Sequence, residues 1–267
     1  MSNHNHHYRD TDFNPEQSAD YTLLVQVGPD SFSYAVTGQN KLLVLEENIS
    51  LGELTEPTEE HNHLSTNYKQ RIIGLPNNGF TFIPDSLFRP DHVADFARFL
   101  DVKAGEKVFS QPLDADNQVI YKVDEKLADK FSVNNVVFAA KGWIMATAAN
   151  NPAKENLYLN IDNDKVELLN FRESKLRFYN GFEFKNEDEL VYFTSLVTEE
   201  LQLQTQNITL ILSGDVEHGD KNSNRLIEFF QHVQLTELKV LDLPEEIASH
   251  TVLTLTALSL CGSSEAR

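Results

Sequence analysis

Residues 23–47, LLVQVGPDSFSYAVTGQNKLLVLEE, carry the reading of this chain. Leu, Val, Phe and Tyr recur in short runs. Gly28–Pro29 and Thr37–Gly38–Gln39–Asn40 break those runs with turn chemistry. The pattern predicts three short strands at 21–28, 31–37 and 41–47 that fold back on one another. At an offset of 134 residues, from Leu23 to Leu157, the chain runs LYLNIDNDKVELLNFRESKLRFYNG. Without a gap, Gln26 meets Asn160, Val27 meets Ile161, Gly28 meets Asp162, Asp30 meets Asp164, Lys41 meets Lys175 and Leu42 meets Leu176. Two unrelated hairpins would give a similar texture, since short alternating strands are common. Each copy, however, is followed by further strand and then helix, one set in each half. A duplicated β-β-β-α unit is therefore the reading adopted.

Outward from the hairpins the elements alternate. FTFIP reads as a buried strand ended by proline, and DHVADFARFL places Val93, Phe96, Ala97 and Leu100 at helical spacing, with Asp91 as a cap. Strands are expected near 107–111 and 118–122, a helix at 124–131, the strand NVVFAA and a helix from about 142. After the linker NNPAKE and the second hairpins, NEDELVYFTSLVTEELQ is the strongest helical pattern, acidic in its first turn where the helix dipole favours it. ITLILSG is an apolar strand, NSNRLIEFFQHV a helix, LKVLDL a last strand and SHTVLTLTALSLC a closing helix, buried through Val252, Leu253, Leu255, Leu258 and Leu260. The expected organisation is a polar tail at 1–20, a first lobe at 21–152 and a second at 153–267. Strands alternating with helices make the class α/β.

Lys and Arg number 22 against 41 Asp and Glu, a net charge of −19. A field of that sign repels nucleic acid and anionic lipid. The single cysteine, Cys261, permits no internal disulfide and no paired-cysteine metal site, and reads as a buried structural thiol. The opening residues lack the basic and apolar regions of a signal peptide, and the run Thr251 to Cys261 is far short of the ~20 residues needed to cross a bilayer. A cytoplasmic protein without membrane insertion is expected. Of nine histidines, His4, His6 and His7 lie in the tail, and His61 and His63 in an acidic loop; all five read as solvated surface. Trp143 reads as a core or lobe-interface aromatic.

Taken together, the meanders, FIPDSLF, the acidic helix, LSGD and the closing HTVLTLTALSLC resemble the actin-like ATPase superfamily. Within it they are most similar to a Bacteroidetes family, domain of unknown function 3822. The resemblance covers residues 21–260 and implies a duplicated two-lobe actin-like ATPase fold, also described as ribonuclease H-like. In that superfamily the first hairpin of each lobe carries a phosphate motif with a carboxylate, and a later strand ends in glycines beside the nucleotide. The positions that correspond here are Gln26 and Gly28, Asn160 and Asp162, and Gly214.

At these positions the departures outweigh the matches. Carboxylates in such sites hold the water shell of Mg²⁺ and orient the attacking water, which requires ionised oxygens. Gln26 and Asn160 are neutral amides. Asp162 puts a side chain and a charge where glycine is required. Pro29 removes an N–H, and Asp215 follows Gly214 with another negative charge. No catalytic residue, cofactor or metal is therefore assigned. The oxygens of Asp162 and Asp164 are compatible with a hard cation or with a polar turn, and Ser213 with His218 reads as a strand-end turn rather than a nucleophile and base. The expected function is a non-catalytic scaffold that binds a protein partner and has lost ATP hydrolysis. The alternative is a cryptic nucleotide or small-ligand binder that uses the cleft between the lobes.

Overall fold

A computed structural model of the chain describes residues 6–54 and 56–262. They form two compact units, one of 6–142 with 255–262 and one of 143–254. The division thus falls inside a helix, earlier than the linker expected from the sequence, and the C-terminal residues return to the first unit.

The first unit opens with β1 (His7–Arg9), then the meander β2 (Thr22–Val27), β3 (Ser31–Gly38) and β4 (Lys41–Ser50), followed by β5 (Gln70–Leu75). Next come β6 (Gly79–Pro84), α1 (Val93–Ala97), β7 (Glu106–Pro112), β8 (Asn117–Asp124), α2 (Glu125–Ala128) and β9 (Val136–Phe138). Its main sheet runs β1-β4-β3-β2-β5-β9, and β6-β8-β7 make a separate three-stranded sheet. Leu24, Phe32, Tyr34, Leu42 and Leu45 fill the core of the main sheet. Ile83, Leu100 and Ile120 form a smaller core under α1. The helix expected at 91–100 is α only over α1, with 3₁₀ turns on either side, and Asp91 caps nothing.

Helix α3 (Lys141–Ala149) leads into the second unit. It contains β10 (Asn156–Asp162), β11 (Lys165–Arg172), β12 (Lys175–Glu183), α4 (Glu187–Glu200), β13 (Thr209–Gly214), α5 (Lys221–Phe229) and β14 (His232–Leu235), and α6 (Ser249–Ala257) begins there. The sheet order is β12-β11-β10-β13-β14, which repeats β4-β3-β2-β5-β9 strand for strand. In both units the first strand of the meander is antiparallel to its hairpin partner and parallel to the strand that returns. The strand order therefore repeats the sequence offset. Leu157, Leu159, Ile161, Leu210 and Leu212 pack one sheet face against Leu190, Val191, Val197 and Leu226 of α4 and α5. Asn186 caps α4 by accepting from the Asp188 and Glu189 amides, and Asp220 caps α5 through the Ser223 amide. Gly142 is glycine because a Cβ there would strike the backbone of Ala257. Trp143 is buried. No helix among the described residues is long and apolar enough to cross a membrane.

Several expectations need correction. Residues 7–9 are not a solvated tail: β1 extends the sheet, pairing Tyr8 with Leu45, so the outer edge of β4 gains partners for its backbone groups. His6 and His7 pair with Glu47 and Glu46, while His4 lies outside the described residues. The last strand is β14, not LKVLDL. Helix α5 ends at Phe229 because Phe230 turns extended into the core, and the alternating Val233 and Leu235 then pair parallel to β13. In the closing helix Val252, Leu253, Leu255 and Leu258 are buried, but Leu260 is 39% exposed. Cys261 is only half-buried, and that burial pushes its thiol up to about 11.

His63 is also misread by the sequence. A 3₁₀ turn over Asn62–Ser65 folds it inward, to 3% exposure. Its ring lies 5.5 Å from Tyr34 and 5.9 Å from Phe13. Burial, with the nearby Arg9 and His61, lowers its pKa to about 4. Between that value and the ordinary 6.5, the unfolded chain binds a proton that the folded one rejects, so stability falls as pH drops through this window. His63→Leu should remove on the order of 1–2 kcal/mol of that loss. Urea unfolding of both proteins at a series of pH values measures it, and parallel curves would refute the assignment.

Candidate functional site

The five positions singled out in the sequence divide between the units. Gln26, on β2, stands opposite Ser33 of β3 and Gly74 of β5. Gly28 closes the hairpin, its N–H donating to the Ser31 carbonyl at 2.8 Å. Its own amide is therefore spent within the turn, and Pro29 has none to offer.

Asn160, Asp162 and Gly214 lie together at the strand ends of the second unit. The meander's alternation turns Leu159 and Ile161 towards α4 and α5 and leaves Asn160 on the other face, opposite Glu167 and Ser213. Asn160 is 4% exposed, so its amide needs partners. Its Nδ2 donates to Glu167 at 3.3 Å, and its Oδ1 accepts from the Ser213 hydroxyl at 3.3 Å. Ser213 also faces the Leu159 carbonyl at 3.2 Å. Glu167 accepts in addition from the Tyr179 hydroxyl at 2.7 Å and from Lys165 at 3.0 Å. Gly214 has φ +88°, and the next amide, that of Asp215, donates to the Ile161 carbonyl at 2.7 Å. A Cβ at 214 would enter that carbonyl and lie 2.9 Å from Asn160 Oδ1.

The chemistry of this network is restricted. A neutral amide bonded on both sides cannot deprotonate water. Glu167 is ionisable, but three donors hold it in place. The Asp162 carboxyl is exposed at the strand end, yet crowding by protein and then the charge of Glu167 push it above the usual carboxylate range. Burial first, and Glu167 second, drive the Tyr179 phenol well above its ordinary value. The Ser213 hydroxyl is engaged with Leu159 and Asn160. Among the described residues no group of three or more His, Cys, Asp or Glu side chains is placed to hold a metal ion. Glu167 and Tyr179 escaped the sequence reading because they carry no motif: they are two polar positions among the alternating residues of β11 and β12.

Ser213 also belongs to the wall of a cavity of about 920 Å³ on the same sheet face. Trp143 and Thr147 of α3, Tyr158 of β10, Thr236 beyond β14 and His250 of α6 line it. His218 lines the same cavity, so Ser213 and His218 share a space although the serine proton is directed elsewhere.

Residues 10–233 match the family described as protein of unknown function (DUF3822), and the chain belongs to that family. Among solved structures it is similar to a Bacteroides thetaiotaomicron protein with an actin-like ATPase fold and unknown function, at 18% identity and a TM-score of 0.72, over 93% of this chain and 99% of the other. It is also similar to a chain of the PilM–PilN type IV pilus biogenesis complex, at 11% identity and a TM-score of 0.65, over 90% and 98%. No curated protein matches significantly. The fold is the actin-like ATPase fold.

Two substitutions test the strand-end network. Gly214→Ala combines left-handed strain with a clash and should destabilise by about 2–4 kcal/mol in chemical denaturation. Glu167→Gln removes the charge beside Asp162, so the Asp162 carboxyl should titrate at lower pH in carbon-detected NMR. An unmoved Asp162 would show that Glu167 does not act on it.

Proposed function

We propose that this chain is a non-catalytic actin-fold module that binds a protein partner and does not hydrolyse ATP. The carrying observation is Asn160, a buried neutral amide bonded to Glu167 and Ser213 where the superfamily resemblance calls for a free carboxylate. Gln26 is the equivalent neutral amide of the first unit. The Gly28 amide, used within its turn, and the Asp215 amide, bonded to the Ile161 carbonyl of β10, support the same reading. Positioning and charge stabilisation are nearly all that a protein contributes to phosphoryl transfer. A chain lacking both keeps the fold as a binding surface.

The partner half of the proposal has two supports. One structural neighbour was solved as a complex, PilM with PilN. The first unit also exposes large apolar side chains: Leu87 at 64%, Phe99 at 79% and Val133 at 66%. Exposed apolar groups of this size on a highly charged chain are candidates for burial in an interface.

Phosphate release by the purified protein with ATP and Mg²⁺ should not exceed that of a Gln26→Ala, Asn160→Ala control. Calorimetry should give no nucleotide affinity tighter than about 100 µM. Cross-linking in native extract should yield a defined adduct that Phe99→Asp with Leu87→Asp abolishes. Turnover above the control would mean that a working enzyme has been misread.

A further inference from the structure

The three parallel strands β10, β13 and β14 would normally be buried on both faces and apolar on both. Here only one face obeys that rule, the face packed by α4 and α5. The other carries Asn156, Tyr158, Ser213 and Gln234 around one apolar residue, Ile211, and the cavity lies over it. Such a face cannot be closed by an apolar helix without stranding its polar groups. The ends of α3 and α6 border it instead.

The cavity's chemistry is specific. In a chain of net charge −19, the only Asp, Glu, Lys or Arg side chains in its lining are Glu237 and Lys239, one of each sign. His218 and His250 also line it, so Lys239 is its single permanent cation and Glu237 its single carboxylate. No cluster of permanent cations is present to hold a phosphate or carboxylate, and no cluster of carboxylates to hold a cation. Among the described residues the side-chain amides of Asn150, Asn151 and Gln234 are exposed with no hydrogen-bond partner. Each amide offers a donor and an acceptor side by side. The floor is already ordered: the Asn156 amide donates to the Tyr158 hydroxyl at 3.2 Å, and the Thr147 hydroxyl to the Trp143 carbonyl at 2.9 Å. A cavity of about 920 Å³ is within the size range of small-molecule sites.

We infer that this cavity binds an uncharged, polyhydroxylated small molecule, a neutral sugar or polyol, whose adjacent hydroxyls pair with the amides of Asn150, Asn151 and Gln234. A hydroxyl both donates and accepts, so vicinal hydroxyls match an amide edge without a net charge on either side. The site lies within the second unit and does not depend on the absence of ATP hydrolysis.

Trp143 is the chain's only tryptophan and lines the cavity, so its fluorescence reports occupancy directly. The full-length protein is titrated with neutral mono- and disaccharides and with matched sugar phosphates, uronates and amino sugars. At least one neutral sugar should shift the emission with a Kd in the millimolar range or tighter, and its charged counterparts should bind more weakly. Asn150→Leu with Gln234→Leu should weaken binding by about tenfold or more. Both residues are exposed, so the thermal midpoint should not change, which separates lost binding from lost folding. Tighter binding of the charged compounds, no binding by any neutral sugar at millimolar concentrations, or undiminished binding in the double variant would each overturn the assignment.

Discussion

The parallel pairing of each meander's first strand with the strand that returns is the constraint on which both units depend. In the second unit it runs from Asn156 opposite Thr209 to Ile161 opposite Gly214. In the first it ends with Gln26 opposite Gly74. A parallel pair needs a long crossover: α4 supplies it in the second unit, and a stretch holding the 3₁₀ turns Leu51–Leu54 and Asn62–Ser65 supplies it in the first. It also demands small residues where the strands end. A Cβ on Gly74 would press on Ala139 and Leu258, and one on Gly214 on the Ile161 carbonyl. The glycine at 214 is therefore explained by strand packing alone, without a phosphate.

The same pairing brings polar side chains together. Asn160 and Ser213 become neighbours across β10 and β13, and Glu167 joins them from β11. Once buried, the asparagine must be satisfied, and a carboxylate held by Tyr179 and Lys165 supplies one partner. A second carboxylate in place of Asn160 would set two negative charges side by side in a partly desolvated place, which raises at least one of their pKa values. The amide avoids that repulsion. At Asp162, crowding by protein first and the charge of Glu167 second already raise the carboxyl above its usual range.

Charge is therefore distributed unevenly over this acidic protein. The strand-end network concentrates carboxylates among their hydrogen-bond donors, while the adjoining cavity is close to neutral and rich in amides. Both share Ser213. Both environments lie on one sheet face, because alternate residues of β10 and β13 look away from the apolar layer; the network takes the Asn160 end of that face and the cavity the Asn156 and Tyr158 end.

By itself the sequence determined the two meanders, their duplication, the helix at Glu187–Glu200 with its acidic first turn and the neutral amides at Gln26 and Asn160. These are local properties: side-chain direction has a period of 2 in strands and 3.6 in helices, and residue identity is directly visible. Tertiary structure alone decided the rest. It placed residues 7–9 as an edge strand because β4 had unpaired backbone to offer, drew His63 under Tyr34 and Phe13, and began the last strand at His232 instead of Leu238. It also set Glu167 against Asn160 and left the cavity beside α3 and α6. Each of these outcomes depends on what packs on the far side of a residue, and that neighbour comes from a distant part of the chain.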